Sequence, residues 1–72
     1  MKRDATITGL ERLRNSRDGN PQFLVTIDGG ATYRTKANTG DAYKLCSYYI
    51  GRRVTLEMTR FKSGWQIVGI GD

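Results

Sequence analysis

Histidine is absent from the 72-residue chain, and cysteine occurs once, as Cys46. One cysteine cannot close an intrachain disulfide, and zinc sites built from Cys and His at the usual spacings are excluded. Without histidine the chain lacks the commonest general base and the central member of a Ser-His-Asp triad. The acidic residues are scattered, and no pair is spaced for acid–base chemistry. We therefore expect a non-catalytic domain with no cofactor and no metal.

Long apolar runs are also lacking. No segment approaches the roughly 20 apolar residues that a membrane span requires. The charged N-terminus, residues 1–4, leads into alternating Thr and Ile and not into the apolar stretch of a signal peptide. A single cysteine suits a reducing compartment. These features predict a cytoplasmic protein that does not associate with membranes.

The charge of the chain is unbalanced. Twelve Lys and Arg residues against seven Asp and Glu residues give a formal net charge of +5. A basic excess on so short a chain favours polyanionic partners such as nucleic acid or an anionic membrane. Solubility is the alternative explanation, because small domains commonly carry a net charge of about this size. The length predicts a single domain over residues 1–72.

Alternating apolar and polar residues predict five half-buried strands. Gly9 interrupts the first of them and shifts its apolar positions to Leu10 and Leu13, which indicates a bulge or a bend. A loop dense in turn-forming residues, 15–21, separates the first two strands. The predicted strands are Ala5–Leu13, Phe23–Ile27, Thr32–Ala37, Val54–Thr59 and Trp65–Ile70.

The register of each predicted hairpin follows from keeping its apolar residues on one face. In the first hairpin, a three-residue loop over 28–30 places Val25 opposite Tyr33, whereas a two-residue loop would put two charged residues in the core. We expect a type I turn closed by Gly30 in the left-handed conformation. In the second hairpin, a three-residue loop over 62–64 pairs Leu56 with Ile70, Met58 with Val68 and Phe61 with Trp65, which leaves Ile67 on the face of Phe61 and Trp65.

One short helix is predicted between the third and fourth strands. Asn38 or Thr39 can cap it, and Gly51 ends it. Asp41 lies in the first turn, where the helix dipole favours negative charge. Apolar residues at i, i+3, i+4 and i+7 define one face that we expect to be buried, including the thiol: Ala42, Leu45, Cys46 and Tyr49.

The element order β-β-β-α-β-β, with a glycine that bends the first strand, resembles the OB-fold at the level of architecture over almost the whole chain. This resemblance implies a mainly β protein, a small five-stranded OB-like barrel with one short helix. It also implies that oligonucleotides bind across strands two and three, between the first and last loops. An SH3-like barrel and a sheet covered by one helix are the alternatives. The short, Met-initiated chain also resembles many small bacteriophage proteins.

Basic residues interleaved with aromatic residues occupy three segments: the end of the first strand with its loop, the third strand, and the last hairpin. On the OB-fold resemblance these segments would frame one groove, where basic side chains contact phosphates and aromatic rings stack on bases. Stacking of this kind contributes about 1–3 kcal/mol per base. The candidate residues are Arg12, Arg14, Arg17, Arg34, Lys36, Arg60, Phe61, Lys62 and Trp65.

Packing is the alternative role for Phe61 and Trp65, because a cross-strand aromatic pair stabilises a hairpin by up to about 1 kcal/mol without a ligand. Tyr33 is expected in the core. Tyr43 and Tyr48 lie off the apolar helix face and are expected at the surface. Arg52 and Arg53 most simply interact with the C-terminus of the predicted helix, where cations are favoured.

These features predict non-catalytic binding of single-stranded nucleic acid, DNA or RNA, with little sequence preference. The alternative is a small protein-interaction module that binds a host or phage protein, and a homodimer formed through a sheet edge is a variant of it. One continuous basic groove would favour nucleic acid. Scattered charge around an apolar patch would favour a protein partner.

Overall fold

The computed structural model describes residues 1–62 and 64–71, which form a mainly β structure. Five strands close into a barrel in the order β1-β2-β3-β5-β4, and β4 pairs in turn with β1. All neighbours are antiparallel except β3 and β5, which are parallel. This topology confirms the predicted five-stranded barrel and is consistent with an OB-like architecture. The strands are β1 (Lys2–Arg12), β2 (Phe23–Ile27), β3 (Thr32–Thr35), β4 (Arg53–Phe61) and β5 (Gly64–Gly71).

The first strand pairs with two neighbours because it bends near Gly9. Its N-terminal half pairs with β4 and its C-terminal half with β2, and the register shifts between Ile7 and Gly9. One extra residue, Thr8, therefore stands unpaired against β2, which is the geometry of a β-bulge. Leu10 takes the inward position after the shift and packs against the core. The bulge expected from Gly9 is confirmed.

The core fills the barrel with inward-facing residues from β1, β2, β4 and β5 and from the segment between β3 and β4. Within the described ranges, no buried side-chain nitrogen or oxygen lacks a hydrogen-bond partner. Thr35, the only fully buried polar residue of β3, accepts the backbone N–H of Phe23 at its hydroxyl oxygen (3.0 Å). The buried apolar residues are Ala5, Ile7, Val25, Ile27, Ala42, Leu45, Tyr49, Val54, Leu56, Met58, Ile67 and Ile70.

The predicted α-helix is wrong. Two short 3-10 segments, Gly40–Lys44 and Ser47–Tyr49, replace it, and the backbone is extended at Leu45 and Cys46 between them. Contacts with β5 explain the difference, because the Asp41 carboxylate accepts the backbone N–H of Ile70 (2.8 Å) instead of facing a helix terminus. Nucleating a helix of about ten residues is costly, so these tertiary hydrogen bonds decide the conformation. No helix in the described part of the chain is long and apolar enough to cross a membrane.

The prediction that Cys46 is buried is also wrong. Ala42, Leu45 and Tyr49 do point into the barrel. Cys46 has an extended backbone (φ −159°, ψ 178°), so it leaves the face that a regular helix would have given it and is exposed to solvent. Tyr43 and Tyr48 are exposed as expected.

The first hairpin has the predicted register and a different turn. Val25 pairs with Tyr33, and the neighbouring pairs follow the same register, so the three-residue loop is confirmed. Gly30 has the predicted left-handed conformation (φ +88°), and its N–H donates to the carbonyl of Ile27 (3.0 Å). Gly29 also has a positive φ, of +89°. A positive φ at the third position of such a turn is the type II geometry and not type I.

The second hairpin departs from the predicted register near its tip. Leu56 pairs with Ile70 as expected, but the register shifts by one residue between Glu57 and Met58. Met58 then pairs with Ile67 instead of Val68. A one-residue shift moves each side chain to the other face, so Ile67 joins the core. The predicted turn over 62–64 includes residue 63, which lies outside the described residues.

The same shift separates the two aromatic residues of this hairpin. Phe61 pairs with Gly64, and Trp65 pairs with Arg60. The predicted cross-strand pair of Phe61 and Trp65 is therefore wrong. Trp65 follows the inward-facing alternation of Ile67 beyond the end of the core, whereas Phe61 belongs to the outer face.

Candidate nucleic-acid interface

The third strand lies at the centre of the candidate site. Arg34 pairs with Leu24 on β2 and with Gln66 on β5, and its side chain is exposed. Side chains alternate along a strand, so Arg34 points away from the core that its neighbours Tyr33 and Thr35 face. The backbone of Arg34 is thereby held by a strand on each side, and its exposed side chain lies on the outer wall of the barrel.

Lys36 links the end of this strand to the last hairpin. Its ammonium group lies over the ring of Phe61, 5.3 Å from the ring centre. The Lys36 backbone N–H donates to the carbonyl of Ile67 (2.8 Å), which continues the parallel β3–β5 pairing beyond Thr35. Two of the predicted groups, the third strand and the last hairpin, are therefore in direct contact.

A cleft of about 210 Å³ provides a second link between these two elements. Arg34 and Trp65, both predicted as site residues, line it together. Trp65 is 38% exposed, so this large apolar side chain presents surface to solvent. The full lining is Thr32, Tyr33, Arg34, Trp65 and Gln66.

The loop between β1 and β2 is tied to the segment after β3 through Asn38. The Asn38 side-chain oxygen accepts hydrogen bonds from the Ser16 hydroxyl (2.7 Å) and from the Asn20 amide (2.7 Å). Its side-chain nitrogen donates to the carboxylate of Asp18 (2.9 Å). The hydroxyl of Tyr43 in turn donates to the side chain of Asn20. The loop that carries Arg14 and Arg17 is thus anchored two residues beyond Lys36.

The predicted basic residues differ in how many contacts their side chains make within the fold. Arg12 donates to the carbonyls of Leu13 and Gln22 and to the side chain of Asn15, and its guanidinium lies 5.5 Å from the ring centre of Phe23. Arg12 therefore organises the base of the loop. The other predicted cations are exposed: Arg14, Arg17, Arg34, Lys36, Arg60 and Lys62.

Arg3 is a residue of this region that the sequence reasoning missed. Its guanidinium donates to the hydroxyl of Tyr33 (3.0 Å), across 30 residues of sequence. The sequence did contain a signal. Ala5 and Ile7 alternate along the first strand, and extending this alternation back by two residues places Arg3 on the inward-facing side. At one end of the barrel the inward-facing positions of the strands extend beyond the buried core. We call this end the rim and define it by Arg3, Tyr33, Arg60 and Trp65.

A larger cleft of about 320 Å³ lies on a different part of the wall and has the opposite charge character. Glu57 and Asp41 approach each other there over Gly69, beside Lys2. No cluster of three or more His, Cys, Asp or Glu residues that could hold a metal ion occurs among residues 1–62 and 64–71. The basic and aromatic residues of the candidate interface are therefore separated from the main pair of carboxylates.

Comparison of the chain with known proteins found no related protein. No protein-family model matches the chain, and neither a curated protein nor a solved structure matches it significantly. Inference about function therefore depends on the chemistry and geometry of the barrel itself.

Proposed function

We propose that this protein binds single-stranded nucleic acid, without catalysis and with little sequence preference, through the outer surface around β3 and the adjoining rim where Trp65 lies. One observation supports the proposal above all: β3 contacts the last hairpin twice, through Lys36 over Phe61 and through the cleft shared by Arg34 and Trp65. Cations and aromatic rings thus alternate over a short distance, which is the arrangement that a phosphate backbone and its bases require.

The charge of the surrounding loops extends this surface in both directions. Arg14 and Arg17 flank it on one side, in the loop that Asn38 anchors near the end of β3. Lys62 and Arg60 flank it on the other side, at the tip and end of the last hairpin. A strand lying across β3 would meet cations along its path, and each phosphate neutralised would release bound counterions.

Weak sequence preference follows from the type of contact. Phosphate contacts carry no sequence information by themselves, because the backbone is the same at every nucleotide. Stacking on an aromatic ring is available to every base, since each base has a planar π face. A duplex keeps its base faces covered by neighbouring pairs, so the aromatic residues favour single strands.

A second candidate function is docking onto another protein, such as a host or phage protein. It is supported by the exposed group around Tyr48, whose ring lies 4.6 Å from the guanidinium of Arg52. Tyr48 is 68% exposed and Ile50, two residues on, is exposed as well. Tyr and Arg are enriched in protein interfaces. This group lies outside the surface around β3, so the two functions predict different sensitive residues.

A binding titration tests the proposal. A short fluorescein-labelled DNA strand and the duplex of the same sequence are titrated with the protein, and anisotropy is followed at about 50 and about 200 mM salt. We expect the single strand to bind more tightly than the duplex. Its affinity should fall with rising salt, and each phosphate contact should add about 0.7 to the slope of log affinity against log salt concentration. No binding of the single strand at the lower salt would exclude the proposal and favour the protein-docking alternative.

A further inference from the structure

We propose that the cleft between β3 and β5 is a pocket for one unpaired nucleobase. The proposal rests on the proposed function, because it names the part of the nucleic acid that this surface holds. It goes beyond that function by assigning the recognition of a base to one defined cavity, and by adding Tyr33 and Arg3 to the site.

The cleft lies at the N-terminal end of the short parallel β3–β5 ladder. The β3–β5 ladder comprises two residue pairs, Arg34 with Gln66 and Thr35 with Ile67. On the N-terminal side of these pairs, Tyr33 and Trp65 line the cleft instead of continuing the ladder. The cleft is thus an opening in the barrel wall at the rim, beyond the last buried core residues.

Two aromatic rings line this opening without contacting each other. Tyr33 and Trp65 make no ring-to-ring contact within the described part of the chain, although both border the same cleft. The Tyr33 ring packs against the core, and its hydroxyl accepts the hydrogen bond from Arg3. One wall is therefore fixed before any ligand arrives, which lowers the entropy lost on binding.

The size of the cleft suits a single base. A cavity of about 150 Å³ accommodates benzene, and this cleft measures about 210 Å³. One planar heterocycle fits such a space. Bases in a duplex are held in pairs and in stacks, so extruding one costs a few kcal/mol, and the pocket discriminates against duplexes.

The polar groups at the cleft suit any of the bases. Arg34 lines it and carries a permanent positive charge that can contact the phosphate of the inserted nucleotide. Thr32 brings a hydroxyl, and Gln66 brings a carboxamide, and each of these groups both donates and accepts hydrogen bonds. A pocket of this composition binds a base through stacking on its planar faces, and it accepts the different hydrogen-bonding edges of the four bases.

Trp65 is the only tryptophan of the chain, so its fluorescence reports on the pocket directly. The test compares a short DNA strand with a strand of the same length in which every residue is abasic. Anisotropy of a terminal fluorescein label measures the affinity for each strand, and the emission of Trp65 is recorded with unlabelled strands. We expect the normal strand to quench Trp65 and to bind about 5- to 150-fold more tightly than the abasic strand.

Two variants separate the pocket from stacking elsewhere. Trp65→Leu should lower the affinity for the normal strand by about 5- to 150-fold and leave the affinity for the abasic strand unchanged. Tyr48→Leu, an exposed aromatic residue away from the cleft, serves as the matched control and should change neither affinity. Circular dichroism melting of both variants checks that the barrel is intact.

The outcomes distinguish the pocket from the proposed function. Equal binding of the two strands, or binding of the normal strand with unchanged Trp65 emission, would overturn the base pocket while leaving nucleic-acid binding in place. An affinity for the abasic strand that falls with Trp65→Leu would also overturn it, because the loss would not depend on a base. If neither strand binds at low salt, the proposed function fails together with the pocket.

Discussion

The ammonium group of Lys36 and the ring of Phe61 lie 5.3 Å apart and join the end of β3 to the last hairpin. The two residues are separated by 25 positions in the chain, and β5 lies between their strands in the barrel. Through this contact two of the three predicted segments, the end of the third strand and the last hairpin, are joined.

We expect an energetic coupling between these two side chains. A cation over an aromatic ring at an exposed site contributes about 0.5–1 kcal/mol. A double-mutant cycle with Lys36→Met, Phe61→Leu and the double variant, measured by urea unfolding, should return a coupling energy of that size. A coupling indistinguishable from zero would mean that Lys36 and Phe61 contribute to the surface independently.

Leu45 closes the barrel from the segment between β3 and β4 and is buried to 95% of its surface (5% exposed). Truncating a buried leucine removes apolar contacts and leaves a cavity, so Leu45→Ala should lower the free energy of unfolding by about 2–5 kcal/mol. Ile50→Ala, in the same segment and about half exposed (47%), is the control and should have a clearly smaller effect than Leu45→Ala. Similar effects of the two substitutions would contradict the inward direction of Leu45.

The exposed thiol of Cys46 should react with an aromatic disulfide reagent at a similar rate in the native and the urea-unfolded protein. Its accessibility follows from the extended backbone at this position, which points the side chain to solvent. Cys46→Ser should accordingly change the free energy of unfolding by less than about 0.5 kcal/mol. Strong protection of the native thiol would support the regular helix that the sequence pattern predicts.

Asn38 combines a left-handed backbone (φ 65°) with side-chain hydrogen bonds to the first loop. Asn38→Ala and Asn38→Gly remove the same hydrogen bonds, but only alanine is strained at a positive φ. The left-handed conformation costs a residue with a Cβ atom about 1–2 kcal/mol. We therefore expect the alanine variant to be less stable than the glycine variant by roughly 1 kcal/mol in thermal or urea unfolding. The reverse order would contradict the backbone conformation at Asn38.

Much of the fold could be predicted from the sequence because the strands are amphipathic and the turns are short. The alternation in β2 and β3 allowed one register only, since the other would have buried charges. The last hairpin was ambiguous, because Ile67 and Val68 are adjacent apolar residues and either could face inward. The bulge that selects Ile67 depends on packing inside the closed barrel, and no local pattern encodes it.

The predicted helix failed for a related reason. A spacing of three residues between Ala42 and Leu45 fits a 3-10 turn as well as an α-helix. The choice between them depends on Asp41, whose carboxylate accepts the N–H of Ile70 on a strand 29 residues away. Sequence patterns report which residues are apolar, so Ala42, Leu45 and Tyr49 were correctly predicted to be buried in this segment, and Cys46 was not.

The three segments of the candidate site could be predicted from the sequence, but the contacts between them could not. Basic and aromatic residues at Arg34, Lys36 and Trp65 are visible in the sequence, but the cleft that unites two of them arises from the parallel pairing of β3 and β5. Arg3 was overlooked because it belongs to the rim only after the barrel has closed and Tyr33 has come within hydrogen-bonding distance.

The most direct test of the account is the salt dependence of single-strand binding after removal of two charges. Arg34→Ala with Lys36→Ala removes one Arg and one Lys from the surface around β3. Lys2→Ala with Arg53→Ala removes the same two charges from the exposed side of the β1–β4 pair and is the matched control. Affinity for a short single strand is measured by anisotropy over a series of salt concentrations.

We expect the Arg34 and Lys36 double variant to bind more weakly, with a double-logarithmic salt slope smaller by about 1.4, or about 0.7 for each lost phosphate contact. The Lys2 and Arg53 double variant, with an equal loss of net charge, should keep the original slope. Equal reductions of the slope in both double variants would show that binding follows net charge alone and would contradict a defined interface around β3.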